Sequence, residues 1–259
     1  MNPLPESAPP PRGEYLYAIA ALGQDHAYDV PGIDGAAVFS IHHGPVAAVV
    51  SLCARKKLRP ERAHLAAHKE VLQRLMRDST ILPMAFGTIA GGVQEVRRLL
   101  TLNQELFLQQ LGRVAGKVEM GLRVKWDVPN IFEYFIGVHP ELRVLRDHLL
   151  GNQREPRQED KIQLGQSFER MLNEDRDGLA EKLEEKLAPY CAEIKRSPPR
   201  QANEVANLNL LAGRDQQAQL EEAVLQAAHL FDNNFAFDLN GPWAPHNFVE
   251  MDLDFDGRN

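Results

Sequence analysis

The chain has 259 residues, of which 44% are hydrophobic and 25% charged, with a formal net charge of −7. That is enough apolar material to core one large domain or two modest ones, and the acidic balance argues against a general nucleic-acid binder, which presents a basic face. Two cysteines far apart in sequence, Cys53 and Cys191, argue against a secreted disulfide scaffold, and no apolar run approaches the roughly 20 residues needed to cross a bilayer.

Residues 1–13 contain Pro3, Pro5 and Pro9-Pro10-Pro11 and read as a disordered Pro-rich tail. They lack the basic start and apolar middle of a signal peptide, so a cytoplasmic protein is expected. Glu14–Ala21 is an aromatic and aliphatic run consistent with a buried strand. Gly23–Gly35, rich in Gly, Asp and Pro, reads as a loop. Ala36–His42 and Val46–Cys53, separated by His43-Gly44-Pro45, predict a hairpin. The second of these strands, apolar on both sides through Ala47-Ala48-Val49-Val50, is expected to be covered on both faces. Pro60 opens a helix to Arg77 with Leu65, Leu72, Leu75 and Met76 inward. Ile81–Thr88 follows as a strand with Pro83 at a bulge or edge. Val93, Val96, Leu100, Phe107, Leu111 and Val114 then trace one face of a single helix ended by Gly116.

The second half starts with the clearest period-two pattern of the chain, Lys117–Trp126. Helices follow to Leu150, then a turn over Gly151–Glu159. A long charged helix carries Ile162, Phe168, Leu172, Leu179, Leu183, Leu187 and Ile194 on one stripe, expected to form a helical hairpin or short coiled-coil arm stopped by Ser197-Pro198-Pro199. Asn203–Ala212 reads as a strand and Gln216–Phe231 as a helix. Phe235–Leu239 and His246–Leu253 close the chain as one or two strands around a Gly241-Pro242-Trp243 turn. The expected architecture is two-domain α+β. Residues 14–116 form an N-terminal ferredoxin-like sheet with helices on one face, and 117–259 a small C-terminal α+β domain with the long helical hairpin inserted. A monomer or weak self-association is expected.

The nine histidines raise metal and acid–base chemistry. His64 and His68, four apart on one helix, are close enough to share a metal, but no third ligand accompanies them and the His-Glu-x-x-His pattern is absent. His42-His43 point to opposite faces of a strand. Neither cysteine has the signature of a nucleophile with base and orienting acid, and no Gly-x-Ser-x-Gly elbow or P-loop occurs. Gly91-Gly92 reads as a helix-entry turn. No catalytic residue, metal or cofactor is expected.

Three turn-punctuated apolar segments stand apart: Thr80–Thr88 (TILPMAFGT), Lys117–Trp126 (KVEMGLRVKW) and Gly241–Val249 (GPWAPHNFV). With Tyr15-Leu16-Tyr17-Ala18-Ile19, Val46–Ser51, and His68 ahead of Val71-Leu72, they resemble the gas vesicle protein F/L family (GvpF and GvpL) over nearly the whole chain. Ala85 stands where that family commonly has a basic residue and His246 where Tyr is usual. The resemblance implies a non-enzymatic accessory or minor structural protein of the gas vesicle. It would bind the hydrophobic, GvpA-type shell subunit, and other gas vesicle accessory proteins, and support nucleation and assembly of the shell. An apolar shell subunit needs its exposed faces and edges covered before assembly. On this reading Tyr15, Tyr17, Phe39 and Met84 are candidate partner contacts on the first sheet. His68, Pro83, Phe86, Gly87, Trp126, Gly241, Pro242 and Trp243 belong to the structural motifs, with Phe86 buried between the sheet and first helix and Trp243 beneath the closing turn. The competing class is a small-molecule-binding or hydrolytic enzyme using His64 and His68 or a site between the domains. The sequence offers it no converging nucleophile, base and ligands.

Overall fold

The computed structural model describes residues 13–54, 57–151 and 157–254. The Pro-rich tail at 1–12 and most of the turn expected at 151–159 lie outside the described residues. The chain forms two compact units, one of residues up to Glu119 together with those from Pro242 onward, the other Met120–Gly241. The first crossing falls three residues past the expected boundary at Gly116. The last block, expected to close the second domain, instead returns to the first unit.

The first unit is built on a sheet of six strands, β1 (Gly13–Ala20), β2 (Ala27–Pro31), β3 (Ala37–His43), β4 (Val46–Cys53), β5 (Ile81–Pro83) and β6 (Ile89–Ala90). The order is β2-β3-β4-β1-β5, with β6 also pairing β1, and these strands pair antiparallel. β2 lies within the segment expected to be loop. Gly, Asp and Pro on both sides hide it, and Pro31 is tolerated because the strand is at the sheet edge. The expected strand Ile81–Thr88 is strand only over β5; residues 84–88 form a loop, and β6 begins just beyond it at Ile89.

Helix α1 (Arg62–Asp78) packs on one face of this sheet, where Val71, Leu72, Leu75 and Met76 meet Tyr15, Tyr17, Val38 and Val49. Helices α2 (Val93–Leu102) and α3 (Gln104–Val114) cover the other, where Val96, Leu99, Leu100, Phe107, Leu111 and Val114 meet Leu16, Ile19, Ile41, Val46, Ala48 and Val50. Helices therefore lie on both faces, not on one, as the two-sided apolar β4 requires. Two phases read from the sequence shift. Leu65 is 44% exposed, and His64 and His68 take its place on the buried stripe. Val93 is 37% exposed, and the single helix expected over 93–116 breaks at Asn103.

The second unit contains most of β7 (Lys117–Trp126), α4 (Ile131–Val138), α5 (Pro140–Leu150), α6 (Gln158–Leu187), β8 (Glu193–Arg196), β9 (Glu204–Gly213), α7 (Gln217–Ala228) and most of β10 (Phe235–Trp243). Its sheet runs β10-β7-β9-β8. Strand, helices, strand, strand, helix, strand with that order is the ferredoxin-like layout, so this arrangement belongs to the second unit. Trp126 is fully buried against Phe135 and Phe235, at ring centroid distances of 5.3 and 6.3 Å. α6 is no free arm, because Leu164, Met171, Leu172, Ala180, Leu183 and Leu187 are all in this core. It ends at Leu187, before Pro189, which cannot supply a helix donor. Ile194, expected on the helical stripe, sits in β8 instead. Gly241-Pro242-Trp243 is not a turn but the end of β10, an edge strand, where proline is tolerated.

Candidate functional site

β1 sets the geometry of the site through a bulge. Its register against β4 slips between Leu16 and Ala18, so the period-two alternation is interrupted. Tyr15, Tyr17, Ala18 and Ala20 all join the α1 side, while Leu16 and Ile19 point to the α2–α3 side. The two tyrosines, two residues apart and so on one face of the strand, stand side by side with ring centroids 4.9 Å apart, against the histidine that α1 presents.

Each tyrosine holds a loop. Tyr15 Oη lies 2.8 Å from His68 Nδ1 and accepts the Gly87 N–H at 3.2 Å. Tyr17 Oη lies 2.9 Å from Ser51 Oγ and accepts the Ile33 N–H at 2.8 Å. Gly87 adopts φ +90°, open to glycine at little cost. The Met84 N–H bonds to the Tyr17 carbonyl and the Leu16 N–H to the Thr88 carbonyl, both at 2.9 Å, so the 84–88 loop is tied to β1 at both ends. Burial pushes the Tyr15 phenol up to about 12 and brings the His68 imidazole down to about 4. His68 is therefore neutral at physiological pH, with Nδ1 paired to the Tyr15 hydroxyl. Its Nε2 is buried without a hydrogen-bond partner, although the Met84 backbone favours the charged form and partly opposes the shift. His64 takes different partners, Asp34 Oδ1 at 3.0 Å and the Arg59 carbonyl at 3.2 Å. The two histidines are thus committed separately. Among the described residues, no three His, Cys, Asp or Glu side chains stand close enough to hold a metal ion, and no helix is long and apolar enough to cross a membrane.

The closing block completes the site. Ala244, Pro245 and Phe248 are buried, with Phe248 fully so. Glu119, itself buried, accepts from the Asn247 backbone N–H at 2.9 Å and from its side-chain amide at 2.5 Å. The Lys69 ammonium sits 4.1 Å from the centre of the Trp243 ring, a cation–π contact from α1. His246 lines a groove with Pro83, Met84, Ala85 and Thr88 of the 83–88 loop. Its imidazole is lowered by desolvation, and its proximity adds to the lowering at His68. The groove, of about 280 Å³, runs between Pro83, Met84, Ala85 and Thr88 on one side and His246, Val249, Met251 and Leu253 on the other.

The candidate contacts separate clearly. Tyr15 and Tyr17 are 0% exposed and Met84 4%. These three are core, a correction that follows from two-sided coverage of the sheet. Phe39 is half-buried in an open cleft with Asp25, His26, Ser40, Val93 and Arg97. Phe86 is half-buried, packed edge-on to Tyr15 and His68. Pro83 is buried at the end of β5, and Trp243 is half-buried over α1. The sequence missed Asn103, Ser51 and the Glu119–Asn247 pair. Only non-local partners give these residues a role.

The family model described as gas vesicle synthesis protein GvpL/GvpF matches residues 13–250. Gas vesicle protein F of Dolichospermum flosaquae is 24% identical over 241 residues, spanning 92% of this chain and 98% of that protein. The F protein of a Streptomyces species is 29% identical over 211 residues, 80% and 85% of the two chains. The crystal structure of GvpF from Anabaena sp. PCC7120 superposes with a TM-score of 0.80 at 23% identity, covering 92% of this chain and 98% of that one. At that identity the superposition establishes the fold alone.

Proposed function

The chain belongs to the GvpL/GvpF family of gas vesicle synthesis proteins, and from that we propose that it is a non-enzymatic, cytoplasmic accessory protein that binds the hydrophobic GvpA-type shell subunit and supports nucleation and assembly of the vesicle. A role in the gas vesicle follows from the family itself. The match over residues 13–250 is the observation that carries the finer reading.

The physics of the first unit supports a contact surface there. A surface suited to an apolar partner pairs an apolar centre with a polar rim. Phe39 and the exposed Val93 form such a centre, flanked by Asp25, His26 and Arg97. β2 beside it is a sheet-edge strand, able to accept an added strand. Other gas vesicle accessory proteins are further partners on this reading.

The test is co-purification of the shell subunit with the intact chain and with Phe39→Asp and Val93→Asp variants. A charge at the centre of the surface should lower capture at least ~10-fold while thermal unfolding stays near that of the parent. Undiminished capture by both variants removes this surface. Turnover of a small substrate by the purified chain would remove the non-enzymatic reading.

A further inference from the structure

The strand expected over His246–Leu253 does not form, and residues Val249–Asp254 belong to no ladder and no helix, yet they lie on the molecule in strand-like fashion. Val249, Met251 and Leu253 pack on the apolar α2–α3 core of the first unit, while Glu250 and Asp252 are exposed. That alternation is the signature of an extended chain on a half-buried surface.

At the end of the segment a side chain acts as the strand partner. Asn103 Oδ1 accepts the Asp254 N–H at 3.0 Å and Asn103 Nδ2 donates to the Asp254 carbonyl at 2.9 Å. Asn103 is 5% exposed, and its Nδ2 also donates to the Leu99 carbonyl at 2.9 Å, where α2 breaks from α3. The break thus fixes the amide from within the fold, independently of the segment. Such a pair of bonds reads a peptide backbone and is blind to sequence, whereas the apolar face reads every second side chain. The fit is incomplete. The groove of about 280 Å³ remains beside the segment along the 83–88 loop, and Val249, Met251 and Leu253 are each only half-buried.

We propose that the apolar α2–α3 face ending at Asn103 is a binding site for an extended peptide segment with apolar side chains at alternate positions, occupied in the resting chain by residues 249–254 as a displaceable strap, with the groove along the 83–88 loop leaving room beside it. Tethering explains how so modest a contact closes the site. A covalently linked segment competes at an effective concentration on the order of millimolar, so a free peptide of equal intrinsic affinity is largely excluded until the strap is removed. A partner segment that outcompetes the strap would leave residues 249–254 solvent-exposed.

The test uses a fluorescently labelled peptide of the sequence Phe248–Asp254, measured by anisotropy against the full chain and against a chain ending at Phe248. The shortened chain should bind the peptide at least ~10-fold more tightly, as loss of a tethered competitor requires. A peptide carrying serine in place of Met251 and Leu253 should not bind. Asn103→Ala in the shortened chain should weaken binding roughly 5-fold, the loss of one net hydrogen bond. If the shortened chain fails to fold, the full-length M251S/L253S double variant serves as the opened form and should show the same gain. Equal affinity of open and closed forms, or binding by the serine peptide, overturns the proposal. Capture of the shell subunit is a separate readout. Its failure with peptide binding intact removes the partner reading and leaves the peptide site.

Discussion

One strand, β1, serves two unlike cores. Toward α1 it presents Tyr15 and Tyr17, whose hydroxyls reach His68, Ser51 and the backbone of two loops. Toward α2 and α3 it presents Leu16 and Ile19, in an apolar layer covered by half-buried residues of the 249–254 segment, which Asn103 holds at its end. The contrast separates two ways of holding a structure. A buried hydrogen-bond network fixes geometry, because each unmade bond is costly. An apolar layer supplies more stabilisation but fixes little beyond shape, and so can exchange one covering for another.

The largest expected effect is on the apolar side. Phe107 is fully buried, and Phe107→Ala should lower unfolding stability in denaturant titration by about 3–5 kcal/mol. A loss under about 1 kcal/mol would mean that the strap collapses into the space, making this face more plastic still.

A pH titration sharpens the other side. His68 falls to about 4 in the fold, against about 6.5 in the unfolded chain. The unfolded state therefore binds the extra proton between those values. Stability from the neutral imidazole is complete above about 6.5 and is lost as the pH drops toward 4, by about 3 kcal/mol in all. Comparing unfolding of the parent and His68→Gln over this range cancels the carboxylates common to both. Parallel curves would show that His68 is not held neutral.

Tyr15→Phe removes one hydroxyl and strands two partners, His68 Nδ1 and the Gly87 N–H. The expected cost is about 1–3 kcal/mol, with faster amide exchange at Gly87. A neutral outcome would equate the two faces and break the contrast. The smallest effect belongs to Asn103→Ala, about 1 kcal/mol. Its diagnostic is local, since amide exchange should rise at Asp254 while the sheet stays protected.

Where neighbours in sequence decide structure, the elements were readable. β1, the β3–β4 hairpin, β7 and β9 follow from alternation or apolar runs flanked by turn residues, and the two-domain α+β class follows from their order. β2 was hidden because its edge position, not its composition, makes Pro31 acceptable. The α1 stripe was misphased because histidine is not counted apolar, yet His68 is lodged between two tyrosines and Phe86. The ferredoxin-like layout was assigned to the first half because strand pairing across long helices leaves no local trace. Of the proposed contacts, only Phe39 reaches the surface. Tyr15, Tyr17 and Met84 have the same residue chemistry as a contact site, and only the second layer of helices tells them apart.

Residues from Pro242 onward belong with the first unit, although 122 residues of the second, Met120–Gly241, come between. On the ribosome the second unit is therefore complete before the first receives Ala244 and the fully buried Phe248. At typical elongation rates the wait is on the order of ten seconds. Throughout that interval the α2–α3 surface stays uncapped, because the stretch that covers it is made only after the whole second unit.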